Sequence, residues 1–316
     1  MVLLKRIQKT TERKITMYID IHAHAYWKPA PFVTKFFTPE QLIAAQDRVG
    51  IEKCVLLPVV NSEVYLPQSN EDILDMAEKY PDRFVPFCNI DPRALTNSPD
   101  APLDKVMQYY KGRGCKGIGE VMANLEVKDP KVQNLFHCAE KVGLPVIYDG
   151  SDQKDGDFGL YDDPGLPQLE HTLQRFPKLI ILGHGPVFWA EIAKLETVAE
   201  RGFVFGFRSE DQVGYLNNGP IKEEGAVPKL LRRYPNLHLD LSDGTAYNAL
   251  TRDPDYGPQF LEEFQDRAYF GTDFCNTDYA DAPLAQTLLQ WKKEGKISET
   301  AFHKIERENA IRLLNL

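Results

Sequence analysis

The chain has 316 residues, 43% of them hydrophobic and 26% charged, an ordinary globular composition that excludes a disordered or fibrous protein. With 37 Lys+Arg against 46 Asp+Glu the formal net charge is −9, so the surface repels phosphate backbones and anionic lipid, which counts against nucleic-acid and membrane-surface roles. No run approaches the roughly 18 uninterrupted apolar residues of a membrane span, and the length leaves either two medium domains or one large α/β barrel.

Residues 1–16 turn basic after a short apolar start, the reverse of a secretory leader, and read as an arm outside the core. From residue 17 onward, short β-branched runs alternate with amphipathic stretches. Strands are predicted at 17–21, 53–59, 83–90, 116–121, 144–149, 178–183, 236–241 and 268–272. These runs are continuously apolar, as in parallel strands covered on both faces. Helices are predicted at 39–49, 70–79, 101–112, 130–142, 165–175, 187–200, 226–234 and 281–294. Thr38 before Pro39 and Asp129 before Pro130 are start signals, and Gly50 and Gly143 are stop signals.

Eight strand–helix alternations without a linker or repeat predict one (β/α)8 TIM barrel, an α/β fold, over residues 17–316. An open doubly wound sheet would want a glycine-rich loop after the first strand, and HAHAYW has no glycine. Two long connections, 201–225 and 242–267, are rich in aromatic, Gly and charged residues, the composition of functional loops. The five cysteines are an odd number, far apart and without a C-x-x-C pair. They read as reduced, buried thiols of a cytoplasmic protein, not a disulfide framework or zinc ribbon.

In such a barrel, chemistry belongs at the C-terminal ends of the strands. The first strand runs into Asp20-Ile21-His22-Ala23-His24. Residues two apart on an extended chain share a face, so both imidazoles can chelate one ion; the plainer alternative is a hydrogen-bonded turn. The fourth strand ends in Glu120, a carboxylate that needs a metal, a substrate hydroxyl or a basic partner in that apolar setting. The fifth ends in Asp149, the sixth in Gly183-His184-Gly185-Pro186, whose small residues leave space around the imidazole, and the eighth in Gly271-Thr272-Asp273. Three histidines and three carboxylates round one rim form an N/O set suited to zinc, manganese or iron(II). Trp27 and Trp189 suit a pocket wall or the core. Arg208, with Lys28, Arg93 and Arg252, would suit a carboxylate substrate or be solvated surface charge. His137, His171, His238 and His303 fall within helices or mid-strand and read as structural.

The segments Asp20-Ile21-His22-Ala23-His24, Leu182-Gly183-His184-Gly185, Gly271-Thr272-Asp273 and Glu308-Asn309-Ala310-Ile311-Arg312-Leu313-Leu314 resemble the amidohydrolase superfamily. The nearest branch is the amidohydrolase-2 group, related to aminocarboxymuconate-semialdehyde decarboxylase. The resemblance implies a metal-dependent barrel enzyme. In it His22 and His24 are ligands, Asp273 is a ligand that also moves protons, and His184 polarises substrate or relays a proton. The family usually has a metal-binding histidine at the end of strand five, where this chain has Asp149. That carboxylate could coordinate through oxygen, contact substrate or mark weakened metal affinity. Glu120 stands where other branches use a bridging carboxylated lysine or a glutamate, so it is a further ligand candidate.

The cofactor expected is a divalent ion, zinc ahead of manganese or iron. The first expectation is hydrolysis of a small ester, lactone or amide by a metal-activated water, with Asp273 as base and His184 stabilising the oxyanion. The alternative is non-oxidative decarboxylation, or hydration, of an unsaturated or aromatic carboxylic acid; a third reading is a degenerate barrel that binds without turnover. Trp27, Trp189 and Arg208 would contact a small, carboxylate-bearing substrate. No nucleic-acid or membrane partner is expected, and a homodimer fits.

Overall fold

In the computed structural model, which describes residues 17–28, 35–64, 68–155, 157–201, 203–204, 214–215 and 217–316, parallel strands and helices alternate along the chain. The arm expected at 1–16, and Arg208, lie outside the described residues. β1 (Tyr18–Ala23), β2 (Ile51–Leu56) and β3 (Phe84–Pro86) form one parallel ladder. β4 (Ile118–Val121), β5 (Val146–Ser151), β6 (Ile181–His184), β7 (Leu237–Asp240) and β8 (Ala268–Tyr269) form a second. Isolated parallel bridges join the ladders at both seams, Cys88 to Ile118 and Ala23 to Phe274. The eight strands thus follow one another round a ring in sequence order, the (β/α)8 arrangement, with a bridge in place of a full ladder at each seam.

The helices form where the caps predict. α1 (Pro39–Val49) starts with a capping box in which Thr38 and Gln41 bond reciprocally, and α4 (Pro130–Val142) starts on the Asp129 carboxylate. Gly50 and Gly143 end them in the left-handed conformation, φ 88° and 72°. α2 (Asn70–Lys79), α3 (Leu103–Gly112) and α5 (Pro167–Arg175) fall close to their predicted bounds. α6 (Gly185–Ala190) is far shorter than the predicted 187–200. Beyond it Ala193 bridges Glu224 and the Lys194 amide donates to the Glu223 carbonyl at 2.9 Å, so backbone pairing with a distant segment replaces helical pairing. After α7 (Ala226–Arg233) and β7, the stretch 242–267 folds as α8 (Asp243–Thr251) and α9 (Tyr256–Glu263) where a loop was expected. Its apolar residues Ala246, Ala249, Leu250, Phe260 and Leu261 are buried, so packing overrides the mixed local composition.

The barrel interior is a cluster of Ile19, Ile21, Val55, Leu57, Val85, Phe87, Ile147, Leu182 and Tyr269, joined by Ala310 and Leu314 of the C-terminal helix. A larger cluster fills the layer between strands and helices. At the β8–β1 seam one side chain adds to the backbone pairing. Asp20, fully buried, accepts the Thr272 hydroxyl (2.6 Å), the Thr272 amide (3.0 Å) and the His22 amide (3.0 Å). Gly271 lets β8 pass close to β7, because a Cβ there would lie 2.7 Å from the Ser242 Cβ and 2.9 Å from Asp240 Oδ1. Gly271→Ala is therefore expected to destabilise the fold by about 1–3 kcal/mol, the usual cost of overpacking; chemical denaturation measures it, and an unchanged midpoint would contradict this packing.

Candidate metal centre

Five side chains from four strand ends form two groups that share His22 at the mouth of the ring: His22 on β1 and His24 just past it, Glu120 on β4, His184 on β6 and Asp273 just past β8. On β1, Ile19 and Ile21 face the inner cluster but Ala23 faces an outer one, so the alternation slips by one residue. The register with β2 shifts over the same residues, Asp20 to Ala23. His22 and His24, flanking Ala23, therefore both turn inward. Asp273 adopts φ 56°, the left-handed region that Asp tolerates better than most residues, and its amide donates to the His22 carbonyl at 2.8 Å.

His22 Nε2 lies 3.1 Å from His24 Nε2 and 3.5 Å from Asp273 Oδ1, and His24 Nε2 lies 3.3 Å from that same oxygen. Ligands about 2.1 Å from a tetrahedral ion stand about 3.4 Å apart, so this triangle has the size of one face of a coordination tetrahedron. Glu120 Oε2 sits 3.2 Å from His22 Nε2 and 3.3 Å from His184 Nε2. On the outer side of the rings, His22 Nδ1 lies 2.6 Å from Asp240 Oδ2, and His24 Nδ1 lies 3.0 Å from the Leu57 carbonyl, which can only accept. The donor set and its spacing fit a divalent cation.

Charge tells the same story. Burial opposes a charge on His22, but Asp240, Asp273 and Glu120 outweigh it and push the imidazole well above its ordinary value. Burial would raise Glu120, yet His22, His184 and His24 hold it down at about 2. Asp149 goes the other way: burial, then Glu120, Asp157 and Asp273, raise it well above the carboxylate range. The carboxylates round His22 thus favour positive charge at the centre.

The remaining candidates are placed differently. Asp149 is buried at the end of β5 but belongs to neither convergent group of donors, {His22, Glu120, His184} or {His22, His24, Asp273}. Its carboxylate faces Gly185, φ 88°, where a Cβ would fall 2.2 Å from Oδ1. Trp189, expected at a pocket wall, is instead a core residue, 1% exposed, packed edge-on to Phe188 and Phe260 with its indole N–H on the Asp240 carbonyl at 3.2 Å. Trp27 packs against the cluster between β1 and α1, with the Lys79 ammonium 4.8 Å from its ring. Arg93 is engaged by Glu63 and Asp91, and Arg252 bonds Asn217 and the Gly219 carbonyl. Asp240, Ser242 and Asp243 went unnoticed in the sequence, although Asp240 closes the seventh apolar run just as Asp149 closes the fifth.

A family model described as amidohydrolase matches residues 19–316. No curated protein sequence matches the chain. Among solved structures, 5-carboxyvanillate decarboxylase from Novosphingobium aromaticivorans, complexed with manganese and 4-hydroxy-3-methoxy-5-nitrobenzoic acid, superposes with a TM-score of 0.59 at 14% identity, covering 96% of each chain. The 2,6-dihydroxybenzoate decarboxylase from Rhizobium gives 0.53 at 17% identity, over 95% of this chain and 98% of that one. A probable 2-pyrone-4,6-dicarboxylic acid hydrolase from Acinetobacter baumannii, with citric acid bound, gives 0.55 at 15% identity, over 95% and 99%. At these identities the likeness is one of fold.

Zinc or manganese at 100 times its dissociation constant is expected to stabilise the protein by about 2.7 kcal/mol through linkage. His22→Ala should abolish that increment while leaving the metal-free fold intact. Thermal denaturation with and without each ion checks this, and an undiminished increment in the variant would remove His22 from the ligand set.

Proposed function

The chain belongs to the amidohydrolase family, and on that premise we propose that it is a metal-dependent lyase releasing carbon dioxide from a small aromatic or unsaturated carboxylic acid. A divalent ion held by His22, His24 and Asp273, with Glu120 beside them, would polarise the substrate oxygens. Zinc suits the spacing, and manganese or iron(II) suits the N/O donor set equally well.

The observation that carries the reading is the split role open to Asp273. Its Oδ1 completes the triangle with the two β1 histidines, while Oδ2 lies 4.0 Å from His184 Nε2. Its side chain is 22% exposed where those of the three histidines are at most 5%. One oxygen can thus hold the centre while the other carries a proton at the open edge. Asp273 delivers that proton to the carbon bearing the carboxylate, drawing on the substrate's π electrons; the carbon–carbon bond then breaks, its electron pair restores the double bond or aromatic ring, and carbon dioxide leaves. His184, across Glu120 from the β1 pair, orients the substrate by accepting from a hydroxyl it carries. The decarboxylase neighbours support the reaction class, and the manganese in one of them supports the kind of ion.

A second reading, hydrolysis of a small ester, lactone or amide, rests on the same exposed oxygen acting as base toward water. The neighbour named as a hydrolase favours it.

Assays of the zinc- and manganese-loaded protein against aromatic and unsaturated carboxylic acids, lactones and esters separate the two. Carbon dioxide release is expected; acid release without carbon dioxide would replace the lyase reading with the hydrolase. In either case Asp273→Asn is expected to lower kcat by about 10²–10⁴-fold, the range for a lost general acid or base.

A further inference from the structure

Asp240 ends β7 with none of its side chain exposed, and it lies against two of the three inward-facing imidazoles at once. Oδ2 is 2.6 Å from His22 Nδ1 and 3.4 Å from His184 Nδ1. Oδ1 is fixed separately by the Ser242 amide at 3.0 Å, so the carboxylate cannot rotate to offer a different face. The main chain behind it is held by the Trp189 indole on the Asp240 carbonyl at 3.2 Å. In front, Gly271 has no side chain to crowd Oδ1. Ser242, two residues on, places its hydroxyl oxygen 3.0 Å from His184 Nδ1.

This bracket decides where the ring protons sit. A lone pair on His22 Nδ1 would face a carboxylate oxygen at 2.6 Å, so the proton occupies Nδ1. On His184 a lone pair at Nδ1 would likewise face Asp240 Oδ2 at 3.4 Å, so the proton again occupies Nδ1 and the Ser242 oxygen accepts it. Both rings then present an Nε2 lone pair, and both of these point at Glu120 Oε2, at 3.2 and 3.3 Å. Two lone pairs around one carboxylate oxygen call for positive charge among them, a proton in the metal-free protein or a bound cation in its place. The His22 and His184 rings come from β1 and β6, so no local feature of either strand could coordinate their orientation; a third strand has to do it.

We propose that Asp240 is a positioning residue that sets the Nδ1–H tautomer of both His22 and His184, and thereby builds the cation-binding face of the centre from two separate strands. The inference rests on the metal-dependent reading above, but its tautomer consequence is independent of any ion. With an amide in its place, Asp240→Asn can donate to Nδ1 and drive the ring protons to Nε2, where they point into the centre and repel a cation. Removing an outer partner of this kind weakens metal binding roughly 10- to 100-fold.

The test uses the full chain labelled with ¹⁵N-histidine, first treated with chelator and then titrated with zinc alone. Long-range ¹H–¹⁵N correlation should show His22 and His184 protonated at Nδ1 in the metal-free protein, and Asp240→Asn should move that proton to Nε2 on His22 at least. Zinc affinity, measured by competition with a chromophoric chelator, should fall roughly 10- to 100-fold in the same variant. Ser242→Ala, which leaves Asp240 in place, should keep the His22 tautomer unchanged. If Asp240→Asn does not fold, the wild-type tautomers and Ser242→Ala decide the question. A wild-type His22 without a proton at Nδ1, or an Asp240→Asn protein with unaltered tautomers and zinc affinity, would overturn the proposal. Nδ1 tautomers in a wild-type chain that takes up no zinc would uphold the role of Asp240 and overturn the metal reading instead.

Discussion

Three imidazole nitrogens and two carboxylates share one buried volume, with neighbouring donor atoms 3.1 to 3.5 Å apart, and much of the surrounding structure answers the charge that this crowding demands. Lone pairs so close repel one another where water cannot screen them. The upward push on His22 and the downward push on Glu120 are two views of that constraint, with a proton on the imidazole standing where a divalent ion would satisfy every donor together. The outward partners, Asp240 for His22 and the Leu57 carbonyl for His24, keep both Nε2 atoms aimed inward.

A site held this tightly needs a frame that cannot slide. The β8–β1 seam supplies much of it: Asp20 binds Thr272 from one strand and the His22 amide from the other, so Asp273 and the two β1 histidines are fixed relative to one another. Burial raises the Asp20 carboxyl to about 7 even against those hydrogen bonds, a measure of how far from water the seam lies. The slip in β1 is the second device. A regular strand would turn the residues beyond Ile21 with the opposite phase, and the irregularity over Asp20–Ala23 is what lets an apolar barrel lining be followed directly by two ligands. Supports of this kind on strands hold functional groups more firmly than loops do.

Much of this was legible in the residues themselves. The apolar runs located the eight strands of the ring to within a few residues, because a strand buried on both faces leaves a continuous signature. His22, His24, Glu120, His184 and Asp273 stood out because polar groups at the ends of such runs have few structural excuses. Asp240 carries the same signature in NLHLDL without pointing to its role, since nothing local distinguishes a carboxylate that meets an ion from one that meets the back of an imidazole. The short α6, and the helices α8 and α9 in place of a loop, were decided by partners far along the chain, the Glu223–Glu224 backbone and the buried faces of Ala246, Leu250 and Phe260.

The sequence by itself determined the fold class, the order of the strands and which side chains stand at their ends, because periodicity and burial are properties of short segments. Only the tertiary structure decided which of those side chains converge. It brought His22 together with His24 and Asp273 on one side and with Glu120 and His184 on the other, and turned Asp149 toward Gly185. It also put Trp189 beneath the site and set Asp240 behind two histidines. Convergence depends on ring closure, on a one-residue slip in β1 and on contacts between residues more than two hundred positions apart, and no local pattern encodes such distances.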